Sequence, residues 1–245
     1  MKPVVVIKLG GSALDKLDSM MAFVEECAEY RVVLIHGGGP QISELLKSVG
    51  HEPVFREGLR VTDAETLNIA IMVLAGSVNK RLVTACLARG HRAVGLSGMD
   101  GATLRAELKD DGALGSVGRM PSVDTELLRT LIEAGFMPIL APLSLGPQEQ
   151  ILNVNADTTA AAVASALGAE RLVFLTDVAG VLGPNKDLVP ELDADGVDRL
   201  KEAGAISIGM IPKLEAALFA VESGVPTVEI RSPVLGPGTL ITSHI

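Results

Sequence analysis

The chain has 245 residues and 25.5 kDa, enough for one large α/β domain, and 48% hydrophobic against 21% charged residues excludes a disordered chain. Aromatic residues make up only 2% and the net charge is -9, so neither base stacking nor a phosphate-backbone footprint is supported and no nucleic-acid partner is expected. Two cysteines, Cys27 and Cys86, without a Cys or His at metal-ligand spacing, exclude a disulfide scaffold and read as reduced, buried thiols of a cytoplasmic protein.

The first apolar run, Pro3 to Ile7, is broken by Lys8 and is too short for a signal-peptide core. With no unbroken run of about eighteen strongly apolar residues, no membrane span is expected. Val4 to Ile7 reads as a strand buried on both faces, ending in Gly10 and Gly11. Helical spacing follows over about 19–30, then a second strand at Val32 to Ile35, the glycines of 36–40, and a helix opening at Pro40. Residues 53–62 lack a period and suggest a loop or hairpin. A long helix is expected from about Asp63 to Arg89, a third strand at Ala93 to Leu96, a β-hairpin excursion over 100–122, a helix over 124–135 and a fourth strand at Pro138 to Ala141. The rhythm then repeats: helix 156–167, strand Leu172 to Leu175, helices near 193–203 and 212–223, and strand Thr227 to Ile230. This alternation predicts an α/β three-layer sandwich with a mainly parallel central sheet, ligands lying beyond the carboxyl ends of the strands. No Pro- or Ser-rich linker divides residues 1–245, so the halves should share one sheet within a single domain.

Chemistry concentrates at the strand ends. Glycines there let backbone N–H groups approach an anion at a helix start. Neither a P-loop nor the usual dinucleotide fingerprint is present. Lys8 sits where a parallel strand is normally apolar; as a bland alternative it reaches to water. Asn153, Asn155 and Asp157 crowd one helix start, where capping accounts for one of them. Lys213 stands at another helix start, against the helix dipole.

The segments KLGG (8–11), HGGGP (36–40), GLRVTD (58–63), NVNAD (153–157), LTDVAGVL (175–182) and GMIPK (209–213) occur in this order and span essentially the whole chain. Together they resemble the amino acid kinase family, and within it the members that phosphorylate N-acetyl-L-glutamate. The resemblance implies transfer of the ATP γ-phosphate to the substrate γ-carboxylate, the second step of arginine biosynthesis, with Mg2+ bound through the nucleotide phosphates and no protein metal ligand. It further implies that Lys8 and Lys213 flank the phosphoryl group, that Asp157 holds both ammonium groups, and that Gly11, Gly37 and Gly38 offer N–H groups. Arg60 would grip the substrate α-carboxylate and Asn153 would assist. Nucleotide contacts would come from Asp177, Val178, Ala179, Gly180, Val181 and Leu182, and from Ala205, Ile206 and Ser207. Residues 1–152 would form the acceptor lobe and 153–245 the nucleotide lobe, closing over the substrates with the 53–62 segment. His36 reads as a positioned turn residue, not an acid or base.

Two rival readings stand beside this one. GLSGMDG at 95–101 also occurs in relatives acting on an aminoadipate or glutamate carried by a small acidic protein. A catalytically silent small-molecule sensor is the other; the joint presence of Lys8, Asp157 and Lys213 argues against it. The apolar stretch Leu67 to Val78 leaves its helix without a polar face and suggests a homodimer. The chain starts almost at its first strand, without the extra N-terminal helix of arginine-inhibited hexameric relatives, so insensitivity to arginine is expected.

Overall fold

The β-branched run near the N-terminus forms strand β1 (Val4–Leu9), enclosed at the centre of the main sheet. A computed structural model describes residues 2–10, 16–56 and 58–243. Helix α1 (Leu17–Glu26) leads to β2 (Arg31–His36), and α2 (Gly39–Ser48) leads to a hairpin, β3 (Phe55–Arg56) and β4 (Leu59–Arg60), in the segment without a period. Asp63 then caps α3 (Ala64–Ile71), accepting from Thr66 N, and a π-helical stretch, Met72–Val78, continues into α4 (Asn79–Ala88) and on to β5 (Ala93–Ser97). Next come β6 (Leu104–Arg105), β7 (Val117–Gly118), β8 (Ser122–Val123), α5 (Glu126–Glu133), β9 (Met137–Ala141), β10 (Leu143–Leu145) and β11 (Ile151–Val154). The chain finishes with α6 (Ala156–Leu167), β12 (Arg171–Leu175), β13 (Glu191–Leu192), α7 (Ala194–Glu202), α8 (Ile211–Glu222), β14 (Thr227–Arg231) and β15 (Thr239–Ile241).

The main sheet has eight strands in the order β13-β15-β14-β12-β1-β2-β9-β5, parallel at every step except β14 with β15. It takes strands from both halves of the chain, as the repeating strand–helix rhythm requires. Alternation along β1 sorts its side chains between two cores. Val5, Ile7 and Leu9 join one with α1 and the long α3–α4 rod, whereas Val6 joins the other with α5, α6 and α8. Lys8 has the parity of Val6, so the strand delivers it to the face covered by α6 and α8.

Three expectations need correction. The 100–122 excursion is not one hairpin: β6 pairs with β8, β7 with β11, and the second sheet runs β7-β11-β10-β6-β8. Its two-residue strands are too short to show a period, and β10, β11 and β15 go unforeseen for the same reason. The long helix contains the π-helical turn, which composition does not distinguish from an α-helix. Lastly, Ala64–Ala88 forms 25 helical residues with an 18-residue stretch of mean hydropathy 1.4, by length and composition enough to cross a membrane. Asn68 and Ser77 interrupt the apolar run without lowering its mean enough. In this fold Ile69, Val73, Leu74, Val78, Leu82 and Cys86 of that helix are buried in the core, as a core helix would be.

Candidate active site

Asn155 caps α6 by accepting from Asp157 N at 2.8 Å and Thr158 N at 3.1 Å. The cap places Asp157 in the first turn, where the helix dipole favours a carboxylate. Lys8 Nζ and Lys213 Nζ each lie 2.8 Å from the same oxygen, Asp157 Oδ1. All three side chains are buried. Burial alone would raise the Asp157 pKa, but Lys8 and then Lys213 override it and hold the carboxyl well below the usual range. Lys213 is pushed down to about 8, by burial first and by Lys8 second. One carboxylate cannot neutralise two ammonium groups, so a surplus of one positive charge remains where a phosphoryl group could lie.

This triad meets a cavity of about 260 Å³ whose wall includes Lys8, Gly37, Gly38, Gly39, Arg60, Asn153 and Asp157. Six of the expected residues therefore converge in one place. The Gly37 N–H already donates to Leu9 O at 3.2 Å, which leaves those of Gly38 and Gly39, at the start of α2, available to an anion. A Cβ on Gly38 would approach Leu74 Cδ2 at 2.8 Å, so any larger residue would have to displace that leucine end on the π-helical stretch. Gly11 lies outside the described residues.

Arg60 is buried on the same wall without an acidic partner among the described residues. Its Nη2 donates to Gly39 O at 2.9 Å and Ser43 Oγ at 2.8 Å, and its Cζ lies 4.6 Å from the centroid of Phe55. Nη1 is buried with no hydrogen-bond partner. A buried donor on a permanent cation calls for an anionic acceptor. Asn153 Nδ2 donates to Thr62 Oγ1 at 3.3 Å, and Thr62 Oγ1 donates to Arg60 O at 3.0 Å, tying the two expected substrate residues together. Gly115, at φ 73, abuts the Thr62 carbonyl so closely that no Cβ fits; the second sheet is thereby braced against the arginine strand.

Sequence reasoning missed Ser43, Phe55 and Thr62. The hairpin register, which sets Phe55 opposite Arg60, is the signal that could have found Phe55. The expected nucleotide residues lie outside the cavity. Asp177 to Leu182 continue from β12, the neighbour of β1; Asp177 pairs with Lys16 at 3.1 Å, and buried Val181 donates its N–H to Thr239 Oγ1 at 2.8 Å. Ala205 to Ser207 run toward the helix that carries Lys213. A second cavity, about 590 Å³, adjoins the first through Leu59, Val117 and Asn155, and its wall includes Ile208, Ile211 and Pro212, just after that stretch.

A parallel sheet ending in a glycine turn at a helix start, with two lysines on one carboxylate beside it, suits a phosphoryl-transferring enzyme. The chain belongs to the amino acid kinase family, whose pattern matches residues 3–232. It is 46% identical over 228 residues to the acetylglutamate kinase of Methanopyrus kandleri, covering 89% of this chain and 91% of that one. To the acetylglutamate kinase of Geobacillus thermodenitrificans it is 44% identical over 245 residues, covering 98% and 95%. Among solved structures, smu.665 of Streptococcus mutans UA159 matches with a TM-score of 0.91 and 32% identity over the full length of both chains. Carbamate kinase from Giardia lamblia shares the fold alone, with a TM-score of 0.70 at 18% identity over 99% of each chain.

Proposed function

We propose that this chain transfers the γ-phosphoryl group of ATP to the γ-carboxylate of N-acetyl-L-glutamate, giving N-acetyl-L-glutamyl 5-phosphate and ADP in arginine biosynthesis. Full-length relatives named acetylglutamate kinase support the substrate. One observation carries the chemistry: Lys8 and Lys213 share Asp157 Oδ1 at 2.8 Å each, beside a cavity that Arg60 also lines, and Arg60 Nη1 is buried without a hydrogen-bond partner.

The acceptor carboxylate is ionised at neutral pH, so no general base is needed. The difficulty lies in bringing an anion to a polyanion and stabilising charge on the transferring group, which is work for positioning and electrostatics. Arg60 Nη1 takes the substrate α-carboxylate, with Asn153 beside it, and this directs the γ-carboxylate toward Lys8. Lys8 and Lys213 balance the charge on the phosphoryl oxygens from two sides, and Asp157 keeps both in place. The N–H groups of Gly38 and Gly39 supply further donors.

Asp177 to Leu182 and Ala205 to Ser207 hold the nucleotide, making 153–245 the nucleotide lobe and 1–152 the acceptor lobe. Mg2+ accompanies the nucleotide, bridging its phosphates and keeping several waters. The chain works as a homodimer across the α3–α4 rod, where Met72 is exposed and Leu67, Ile71 and Ala75 are only half-buried. Light scattering should then give about twice 25.5 kDa. The cytoplasm suits Cys27 and Cys86, which are free and buried.

An ADP-release assay with Mg2+ and ATP, run separately with N-acetyl-L-glutamate, L-glutamate and L-2-aminoadipate, tests the reading. Turnover should require the acetylated acid, and hydroxylamine should trap the acyl phosphate as a hydroxamate. Absent turnover, or equal turnover with the free amino acids, refutes the assignment.

A further inference from the structure

We propose that His36 and Asn79 are positioning residues that fix the orientation of the Gly37–Gly38 peptide, so that the Gly38 N–H is presented to oxygens of the reacting groups in the cavity. The inference rests on the functional reading above for what the cavity binds, but not for its geometry.

Asn79 is the first residue of α4, directly after the π-helical stretch, and is fully buried. Its Nδ2 lies 2.9 Å from Ile139 O and 3.3 Å from Leu96 O. Main-chain carbonyls only accept, so the amide nitrogen, not its oxygen, must face them. The oxygen has its own donor, Lys80 Nζ at 3.1 Å. The same Nδ2 lies 3.1 Å from His36 Nε2. The two hydrogens of Nδ2 are shared among these three acceptors, and because an amide nitrogen does not accept, Nε2 must face it unprotonated, which leaves the proton of a neutral imidazole on Nδ1. Nδ1 lies 2.9 Å from Gly37 O, so Nδ1–H donates to that carbonyl. The ring is fully buried, and burial, aided by the charge of Lys80, pushes its pKa down to about 4, in keeping with a neutral ring.

Planarity of the peptide completes the step. All described peptide bonds are trans, and in a trans peptide the carbonyl and the next N–H point in opposite directions. Holding Gly37 O toward His36 therefore turns the Gly38 N–H away from His36. Gly37, Gly38 and Gly39 line the cavity and His36 does not. A flipped peptide would instead aim a carbonyl at an anion site. Leu74 and Val78 of the π-helical stretch press on Gly38 from another side, so the loop is clamped between that stretch and the imidazole. A π-helical turn at this position, directly before the residue that orients the ring, fits the frequent placement of such turns at functional sites.

Two substitutions separate hydrogen bonding from packing. The amide nitrogen of Asn overlays Nδ1 of His and can donate to Gly37 O; that of Gln overlays Nε2 and cannot. Gln is nevertheless closer to His in volume. With N-acetyl-L-glutamate and ATP saturating, kcat should fall less than about 5-fold in His36→Asn and roughly 10–100-fold in His36→Gln, a fraction of the cost of losing a preorganised donor altogether. The reverse order overturns the proposal. A measurement on the wild-type chain needs no variant to fold: 15N NMR of the imidazoles should show His36 as the neutral Nδ1–H tautomer from about pH 6 to 8. The Nε2–H tautomer, or a protonated ring, overturns it. A wild-type chain that fails to turn over N-acetyl-L-glutamate refutes the substrate reading instead, and the NMR result still decides this one.

Discussion

Two buried cationic sites meet one cavity, the first through Lys8 and Asp157 and the second through Arg60, and they are built in opposite ways. Lys8 and Lys213 share an acid, Asp157 Oδ1, whereas Arg60 is held only by neutral groups: Gly39 O, Ser43 Oγ and the face of Phe55. The difference follows from what each cation can do when left alone. A buried ammonium without a counter-ion loses its proton, and Lys213 is already drawn down to about 8 with Asp157 beside it. A guanidinium stays protonated, so Arg60 can wait with Nη1 unpaired until a substrate carboxylate arrives. In the proposed reaction the lysines would face a group whose charge is redistributed during transfer, and they need a permanent partner. The arginine would face a carboxylate whose charge is constant, and the substrate itself could be the partner.

Removing a lysine should break the comparison most severely. Lys8→Ala or Lys213→Ala should lower kcat by roughly 10²–10³-fold, the size expected for one preorganised donor to developing charge. Near wild-type kcat in either variant would remove that lysine from the transfer step. Arg60→Lys should act on binding instead. The charge survives, but one nitrogen cannot reach Gly39 O, Ser43 Oγ and the substrate together, so KM for N-acetyl-L-glutamate should rise about 10–100-fold with little change in KM for ATP. Equal changes in both would move Arg60 out of the acceptor pocket.

Titration sharpens the contrast at a smaller scale. Lys213 is expected to act as an ammonium, so kcat/KM for ATP should fall above about pH 8, reaching roughly a tenth of its plateau near pH 9. Arg60 contributes no limb in this range. The stability effect of Lys213 has the opposite sign. Its folded pKa lies below the ordinary 10.5, so between about 8 and 10.5 the unfolded chain binds a proton that the folded chain lacks, and this group's contribution to stability rises with pH. Activity should therefore decline without a fall in Tm from this residue. In Lys213→Arg the limb should vanish even if the plateau is lower; a limb that persists belongs to another group.

The two sites were unequally legible in the sequence. Lys8 interrupts an apolar parallel strand, and strand alternation alone assigns it to the face of α6 and α8. The polar residues before the Ala-rich helix announce a cap at Asn155 or Asp157, and the structure gives it to Asn155, which places Asp157 in the first turn. Arg60 has no such local signal. It sits in a two-residue strand, and its role came from resemblance rather than from period or spacing. Ser43 and Phe55 come from separate elements and meet Arg60 only by packing, which no local pattern encodes. The π-helical turn hides likewise, because Met72 to Val78 has the composition of an ordinary apolar helix.

The smallest expected effect concerns the stack on Arg60. Phe55 is about half exposed, at 52%, and its ring centroid lies 4.6 Å from Arg60 Cζ. A cation–π contact at so exposed a site contributes about 0.5–1 kcal/mol, which corresponds to roughly a 2–5-fold change in an equilibrium constant. Phe55→Ala should therefore raise KM for N-acetyl-L-glutamate by about that factor and leave kcat nearly unchanged, because Gly39 O and Ser43 Oγ still fix Nη2. Phe55→Leu restores apolar cover without a π face, so it distinguishes shielding from stacking: KM near the wild-type value would mean cover suffices, and KM equal to that of Phe55→Ala would mean the ring face is what Arg60 needs. If Phe55→Ala raised KM as far as Arg60→Lys, neutral hydrogen bonds would not be enough to hold the guanidinium. The contrast with the lysine site would then have to be redrawn, with the aromatic ring taking the place at Arg60 that Asp157 holds for the two lysines.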